Sequence, residues 1–232
     1  MTDETSGLSR SVEDYLKAVY SLCQSGEAAS NSDIAEALDV QPASVTGMIK
    51  RLAESGYLEH VPYRGVELTE TGKRAALRVI RRHRILETYL TRHLGYRWED
   101  VHSEAERLEH AASDELIDRM AAALEHPSHD PHGAPIPTSS GEIEITDSWT
   151  LADLAPGESA HVRAVRDDDS AGLRAAENAG LLPGTRVRVR ARRRSPPGLL
   201  VEVEGSGSVA LEISMEVAGR VFMTTDPAGA GP

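Results

Sequence analysis

The sequence predicts a mainly α chain with a small β domain towards its C-terminal end. Up to about residue 126 the apolar residues recur at helical spacing. After about Thr150 they alternate with a period of two, as in Arg186-Val187-Arg188-Val189-Arg190 and Leu199 to Val203. Between the two, His126 to Ser148 carries Pro127, Pro131, Pro135, Pro137 and two glycines, which stop helices and favour an extended, solvated path.

The helical part reads in order. Val12, Tyr15, Leu16, Val19 and Leu22 share one helix face, and Gly26 closes that helix. Asn31-Ser32-Asp33 offers a cap for a short second helix carrying Ile34, Ala35 and Leu38. After a break at Asp39 to Pro42, a third helix carries Val45, Met48, Ile49 and Leu52 and ends at Ser55-Gly56. Two short helices around a four-residue turn are the helix-turn-helix plan. Tyr57 to Val61 and Val66 to Thr69 then alternate on either side of a Tyr63-Arg64-Gly65 turn, a β-hairpin wing, so the unit is a winged helix.

An α-helix fits the major groove of B-DNA and must present short polar donors and cations there. The third helix offers Gln41, Pro42, Ser44, Thr46, Gly47, Lys50 and Arg51 on its outer face, and the wing tip adds Arg64. Lys50, Arg51 and Arg64 suit phosphates. Against this, residues 1–75 hold 12 acidic and 7 basic side chains, so the basic patch is narrow or something offsets the charge.

A second constellation carries chemistry. If the helix that begins near Val101 continues, His102, Glu106, Glu109 and His110 fall at i, i+4, i+7 and i+8, one stripe of two imidazoles and two carboxylates. His83 and Glu87 stand at i and i+4 on the preceding helix, whose Ile80, Ile85, Leu86 and Leu90 can pack against it. Carboxylates this close repel, and either a cation or raised pKa values relieve them, a divalent metal being the natural solution. His126, His129 and His132 lie among prolines, share no helical face and are not counted as ligands; nor is Cys23.

These features stand in the order seen in a known family. Glu13-Asp14-Tyr15-Leu16, Pro42 to Thr46, Tyr63-Arg64-Gly65, Arg81 to Glu87, Val101-His102 through Glu109-His110 and Asp130-Pro131-His132-Gly133 to Pro137 together resemble the diphtheria toxin repressor family of metal-dependent transcriptional regulators. The resemblance implies a homodimer that binds a palindromic double-stranded DNA operator when metal is present, a helical dimerisation domain, and a C-terminal SH3-like barrel of the FeoA type. The domains expected are 1–75 (winged helix), 76–126 (metal binding and dimerisation), 127–149 (proline-rich linker), 150–226 (SH3-like) and 227–232 (disordered tail).

The resemblance implies Asp14, Glu106, Glu109 and His110 as the primary metal site, and His83, Glu87 and His102 as a second, two ions per subunit in all. Positions 14 and 106 carry carboxylates, as in the manganese-responsive branch, where the iron-responsive branch has sulfur. Hard oxygen donors suit Mn2+, with Fe2+, Co2+ or Zn2+ as substitutes. Some manganese-type members place a Glu where this chain has Lys17, so the second site needs another ligand. In barrel-containing relatives that ligand comes from the barrel, and Asp169 in the Asp167-Asp168-Asp169 run is the expected choice; alternatively the run only favours the start of the helix that follows.

Composition bounds the rest. The 232 residues carry a formal charge of -12, with 40% hydrophobic and 27% charged residues, which excludes a basic nucleic-acid coat. A single cysteine, a polar start without a signal segment and no run of roughly 18 apolar residues place the expectation in the cytoplasm, away from membranes and organic cofactors. The Arg186 to Arg194 run reads as a solvated strand face, or else as a second nucleic-acid surface. The alternatives are an iron-responsive regulator of the same family, a dimetal carboxylate-histidine metalloenzyme, which lacks an evident nucleophile or phosphate loop, and a sensor of an organic effector, which would leave the acidic stripe without a cation.

Overall fold

A computed structural model describes residues 8–146, 148–205 and 210–225. The expected tail, 227–232, lies outside the described residues. The chain forms two compact units, one from Met1–Arg82, Glu109–Ala111 and Pro137–Ile143, the other from His83–Leu108, Ala112–Ile136 and Glu144–Pro232.

The first unit is built on α1 (Arg10–Leu22), α2 (Asn31–Ala37), α3 (Pro42–Glu54) and a hairpin of β1 (Leu58–Val61) and β2 (Gly65–Leu68). Its core is the apolar stripe read from the sequence, with Leu16, Val19, Ile34, Val45 and Leu52 almost fully buried. Ser30 caps α2 by accepting from Asp33 N at 3.2 Å, one residue before the predicted cap. Pro42 opens α3 at a position where no N–H is needed. The wing pairs Leu58 with Leu68 and Val61 with Gly65. Gly65 has φ +133 and lies so close to Ala29 that a Cβ would sit 2.1 Å from the Ala29 carbonyl oxygen, so only glycine fits. That contact fastens the wing through paired backbone hydrogen bonds between Ala29 and Val66, of 2.9 and 3.0 Å.

A long helix, α4 (Glu70–Leu94), starts in this unit and ends in the other. The expected boundary between residues 75 and 76 therefore falls inside one continuous helix, capped at its start by the Thr69 hydroxyl, which accepts from Gly72 N at 3.1 Å. Nothing in its charge-rich sequence breaks the helix there.

In the second unit, α5 (Val101–Leu108) and α6 (Asp114–Ala123) pack on the later part of α4 through Ile85, Leu86, Ala105, Ile117, Ala121 and Leu124. Then come β3 (Ser159–Val165), α7 (Ser170–Asn178), β4 (Arg186–Arg194), β5 (Pro197–Val203), β6 (Leu211–Ser214), α8 (Met215–Ala218) and β7 (Val221–Thr224). The strands form one antiparallel sheet in the order β6-β5-β4-β3-β7, with bulges in β3 and β4. Val162, Leu173, Val187, Val189, Leu199, Val201 and Met223 fill its core. On β4, Val187 and Val189 face inward while Arg186, Arg188 and Arg190 face solvent, the alternation read from the sequence.

The proline-rich segment is not the solvated strap expected. His132, Gly133 and residues 135–137 are buried. Prolines cannot donate, but their carbonyls accept: Arg81 donates to Pro137 O at 2.9 Å, Arg84 to Pro135 O and Trp98 to Pro131 O at 2.9 Å. No helix among the described residues is long and apolar enough to cross a membrane.

Candidate metal centres and nucleic-acid interface

The predicted four-residue stripe does not exist as one face. Helix α5 stops at Leu108, and Glu109 and His110 lie in the turn that follows, before Ser113 caps α6 by accepting from Leu116 N. The break sorts the ligand types into two clusters. Glu109 and His110 join Asp14 in the first unit, whereas His102 joins His83 and Glu87 in the second.

In the first cluster, Asp14, Glu109 and His110 each offer a ligand atom within 4.8 Å of the others. His110 Nε2 is 2.9 Å from Asp14 Oδ1 and 3.4 Å from Glu109 Oε1. It is buried and makes no hydrogen bond. The other ring nitrogen, Nδ1, stands 2.7 Å from Glu13 Oε2, and Arg82 holds Glu13 Oε1 at 3.0 Å. A carboxylate can only accept, so Nδ1 carries a proton, and Nε2 is the ring atom left facing Asp14 and Glu109. Glu109 is fully buried, and Lys17 Nζ lies 3.0 Å from each of its oxygens. Two carboxylates and one oriented imidazole fit a divalent cation.

The second cluster is larger than the sequence suggested. His83 Nε2 is 2.9 Å from Glu87 Oε1 and 3.1 Å from His102 Nδ1; His102 Nδ1 is 3.1 Å from the same Glu87 oxygen and 3.6 Å from Asp167 Oδ2. On the opposite side of the carboxylate, Glu87 Oε2 faces His132 Nδ1 at 3.8 Å, and His132 Nδ1 is 4.0 Å from Asp167 Oδ2. Glu87 Oε2 and His132 Nδ1 are buried without a hydrogen bond, and Asp130, whose Oδ2 is ion-paired with Arg84 Nε at 3.4 Å, completes a group with Glu87, His132 and Asp167. These orphaned donors also fit a divalent cation.

Local structure explains how the linker supplies His132. Asp130 Oδ1 accepts from His132 N at 2.8 Å and Ala134 N at 3.0 Å, folding the segment into a tight loop. Gly133, at φ +86, brings that loop onto β3, where a Cβ would meet the Arg163 carbonyl oxygen at 2.1 Å. Val165 N then donates to His132 O at 2.9 Å, and His132 Nε2 donates to Trp98 O at 2.8 Å, which turns Nδ1 towards Glu87.

Charge sets the protonation. Burial works against the Glu87 carboxylate, yet three histidines around it hold it well below the ordinary range. Burial likewise opposes charge on His102 and His132, but the neighbouring Asp167 and Glu87 carboxylates win, lifting them to about 10 and about 9. Asp130, desolvated and beside Glu87, rises to about 6. Asp167 is held low because the His102 bond outweighs its burial.

Asp169, the ligand expected from the acidic run, is placed otherwise. Its two oxygens accept from Ala171 N and Gly172 N at 2.9 Å each, so it caps α7, and those bonds lower its pKa. Asp167, two residues earlier, is the aspartate at the cluster. Glu106 stands on α5 in the second unit, its Oε1 3.9 Å from His102 Nε2. Asp130, His132 and Asp167 are the members that sequence reasoning missed.

The predicted nucleic-acid residues lie together on α3 and the wing. Gln41, Pro42, Ser44, Thr46, Gly47, Lys50 and Arg51 are exposed, while Val45, Ile49 and Leu52 face the core. Asn31 donates to the Thr46 hydroxyl at 3.2 Å, tying α2 to α3. Arg64 is exposed at the wing tip beside Tyr63, whose side chain is wholly in solvent.

Three family descriptions match consecutive parts of the chain: the iron dependent repressor N-terminal DNA binding domain over residues 7–66, the iron dependent repressor metal binding and dimerisation domain over 69–138, and the FeoA domain over 149–224. The iron-dependent repressor IdeR of Mycobacterium tuberculosis is 31% identical over 224 residues, 90% of this chain and 95% of that one. The chain belongs to the iron-dependent repressor family. Within that family, the regulator MntR of Geobacillus thermodenitrificans is 40% identical over 116 residues, half of this chain and 82% of its own length. A solved manganese-dependent transcriptional repressor in complex with manganese superposes with a TM-score of 0.85 at 34% identity, covering 93% of this chain and all of that one. ScaR with bound Zn2+ gives a TM-score of 0.79 at 30% identity, covering 93% and 99%. The architecture is therefore that of a family repressor: winged helix, helical dimerisation domain and small C-terminal β domain. IdeR and the manganese-dependent protein are repressors and MntR is a transcriptional regulator, and the metalloenzyme alternative is set aside.

Proposed function

We propose that this repressor is activated by metal, Mn2+ before Fe2+, and binds a palindromic operator as a homodimer to restrain metal-uptake genes. The observation that carries the reading is His110 Nε2, buried and without a hydrogen bond, facing Asp14 of α1 and Glu109 of the turn after α5. Asp14, Glu109 and His110 hold the primary ion. Glu87, Asp167, His83 and His102 hold a second ion, with Asp130 and His132 on the far side of the shared carboxylates. When bound, the metal supplies positive charge that relieves carboxylate repulsion and ties α1 to the 109–111 turn.

The chain's residues do the rest. Glu13 and Arg82 orient the His110 ring. Asp14 transmits the state of the site to α1, on which the helix-turn-helix packs, and thus to the spacing of two recognition helices in a dimer. Lys50, Arg51 and Arg64 meet phosphates, while Gln41, Ser44 and Thr46 stand at the N-terminal end of α3, where base edges are read. By linkage, DNA must tighten metal binding by the factor that metal tightens DNA binding.

The preference for manganese rests on the donor set, in which carboxylate oxygen outnumbers nitrogen and sulfur is absent from both clusters. Fe2+ is the second reading, favoured by the IdeR likeness over 90% of the chain; Co2+ or Zn2+ can substitute. His110→Ala should abolish metal-dependent operator binding while circular dichroism shows the fold intact. Undiminished metal-dependent binding would refute the ligand assignment.

A further inference from the structure

Glu109 is a fully buried carboxylate, a costly group unless a cation compensates it. The compensating group comes from the chain itself. Asp14 and Lys17, three apart on α1, share a face. Asp14 meets His110 Nε2 at 2.9 Å, and Lys17 Nζ meets both Glu109 oxygens at 3.0 Å. Lys17 is only 19% exposed, so water screens the pair weakly. Arg82 is engaged by Glu13 at 3.0 Å and donates to the Glu109 backbone carbonyl at 3.5 Å.

We infer that Lys17 is a resident counter-cation that sets the metal concentration at which the repressor is activated. It resides on the carboxylate that a metal ion must share. In the metal-free protein Lys17 neutralises Glu109 and keeps the site folded; on loading it must release an oxygen and then stand beside a divalent charge. Both effects weaken binding, and at a few ångströms each is large enough to shift affinity by about tenfold or more. A sensor gains from this, because a site with unopposed carboxylates would fill at concentrations too low to report a change. The inference rests on Asp14, Glu109 and His110 being metal ligands, and the test separates the two ideas.

Full-length, metal-stripped protein is titrated with Mn2+, and free Mn2+ is followed by its electron paramagnetic resonance signal. Asp14→Ala identifies which class of sites belongs to the first cluster. Lys17→Met should tighten that class by about tenfold or more and leave the other unchanged, while lowering the melting temperature of the metal-free protein. Lys17→Arg, which keeps the charge, should stay within about threefold of wild type. Should Lys17→Met not fold, Lys17→Gln removes the charge while retaining a donor and should show the same tightening. Equal or weaker binding by the neutral variant overturns the role of Lys17, as does a shift in Lys17→Arg as large as in Lys17→Met. If Asp14→Ala removes no class of sites, the metal reading of the cluster fails, and the inference with it.

Discussion

Glu13 Oε2 accepts the Nδ1 proton of His110 at 2.7 Å across 97 residues of sequence, and thereby decides which face of the imidazole the ligand cluster sees. Without that bond the ring could rotate or change tautomer, and Nε2 would lose its aim at Asp14 and Glu109. Outer partners of this kind are worth about 10–100-fold in metal affinity. Glu13→Ala should weaken Mn2+ binding at the first cluster by that order in a chelator-buffered titration, and Glu13→Gln, which keeps an acceptor, should lose less. An unchanged affinity in Glu13→Ala would show that His110 is oriented by packing alone.

Metal binding at the second cluster should release protons at neutral pH. His102, lifted to about 10, carries a proton in the metal-free protein that a ligand must give up, and His132, lifted to about 9, is protonated beside the same carboxylates. Their folded values lie above the ordinary histidine value of about 6.5. The stabilisation they give the metal-free fold is therefore complete below about 6.5 and is lost as pH rises towards 9 and 10. Apparent metal affinity should climb across the same window, not level off above 6.5 as free histidines would have it. Calorimetry in buffers of different ionisation heat counts the protons, and none released at pH 7 would contradict the arrangement.

The two aspartates of the acidic run should separate cleanly. Asp167→Ala should reduce the Mn2+ bound at the second cluster in equilibrium dialysis. Asp169→Ala should leave the metal count unchanged and only lower the melting temperature slightly, since its oxygens serve Ala171 N and Gly172 N. Metal loss in Asp169→Ala alone would reverse the assignment.

What could be read from the sequence divides along local and long-range lines. Ile34, Val45, Ile49 and Leu52 announced the helix-turn-helix by spacing alone, and Tyr63-Arg64-Gly65 announced the wing, because each reports on its own neighbours. His83, Glu87 and His102 were legible as ligand types for the same reason. The split of the stripe was not, since the helix end after Leu108 has no glycine or proline to mark it. His132 was hidden because its place depends on Gly133 meeting β3, a contact between distant parts of the chain. In the run of three aspartates, composition could not say which faces the cluster; only the start of α7 at Ser170 makes Asp169 the cap. Lys17 is legible as the residue standing where some relatives have Glu, but its pairing with Glu109, 92 residues away, is not.

The wing tip should act through charge. Arg64 is exposed beside a wholly exposed Tyr63, and it suits phosphate rather than a base edge. Arg64→Ala should weaken binding about uniformly across DNA sequences and reduce the salt dependence, the slope of log K against log salt, by about 1. A change in sequence preference with an unaltered slope would place Arg64 on a base instead.

The central claim is that metal at the His110 cluster gates DNA binding. The measurement that tests it most directly is selection of random duplex DNA by the full-length, metal-stripped protein, with Mn2+ and in parallel with chelator, for wild type and Asp14→Ala. The account predicts a palindrome enriched by the wild type with Mn2+, lost with chelator and lost in Asp14→Ala at the same Mn2+ concentration. Equal enrichment with and without metal, or by the Asp14→Ala variant, would contradict it.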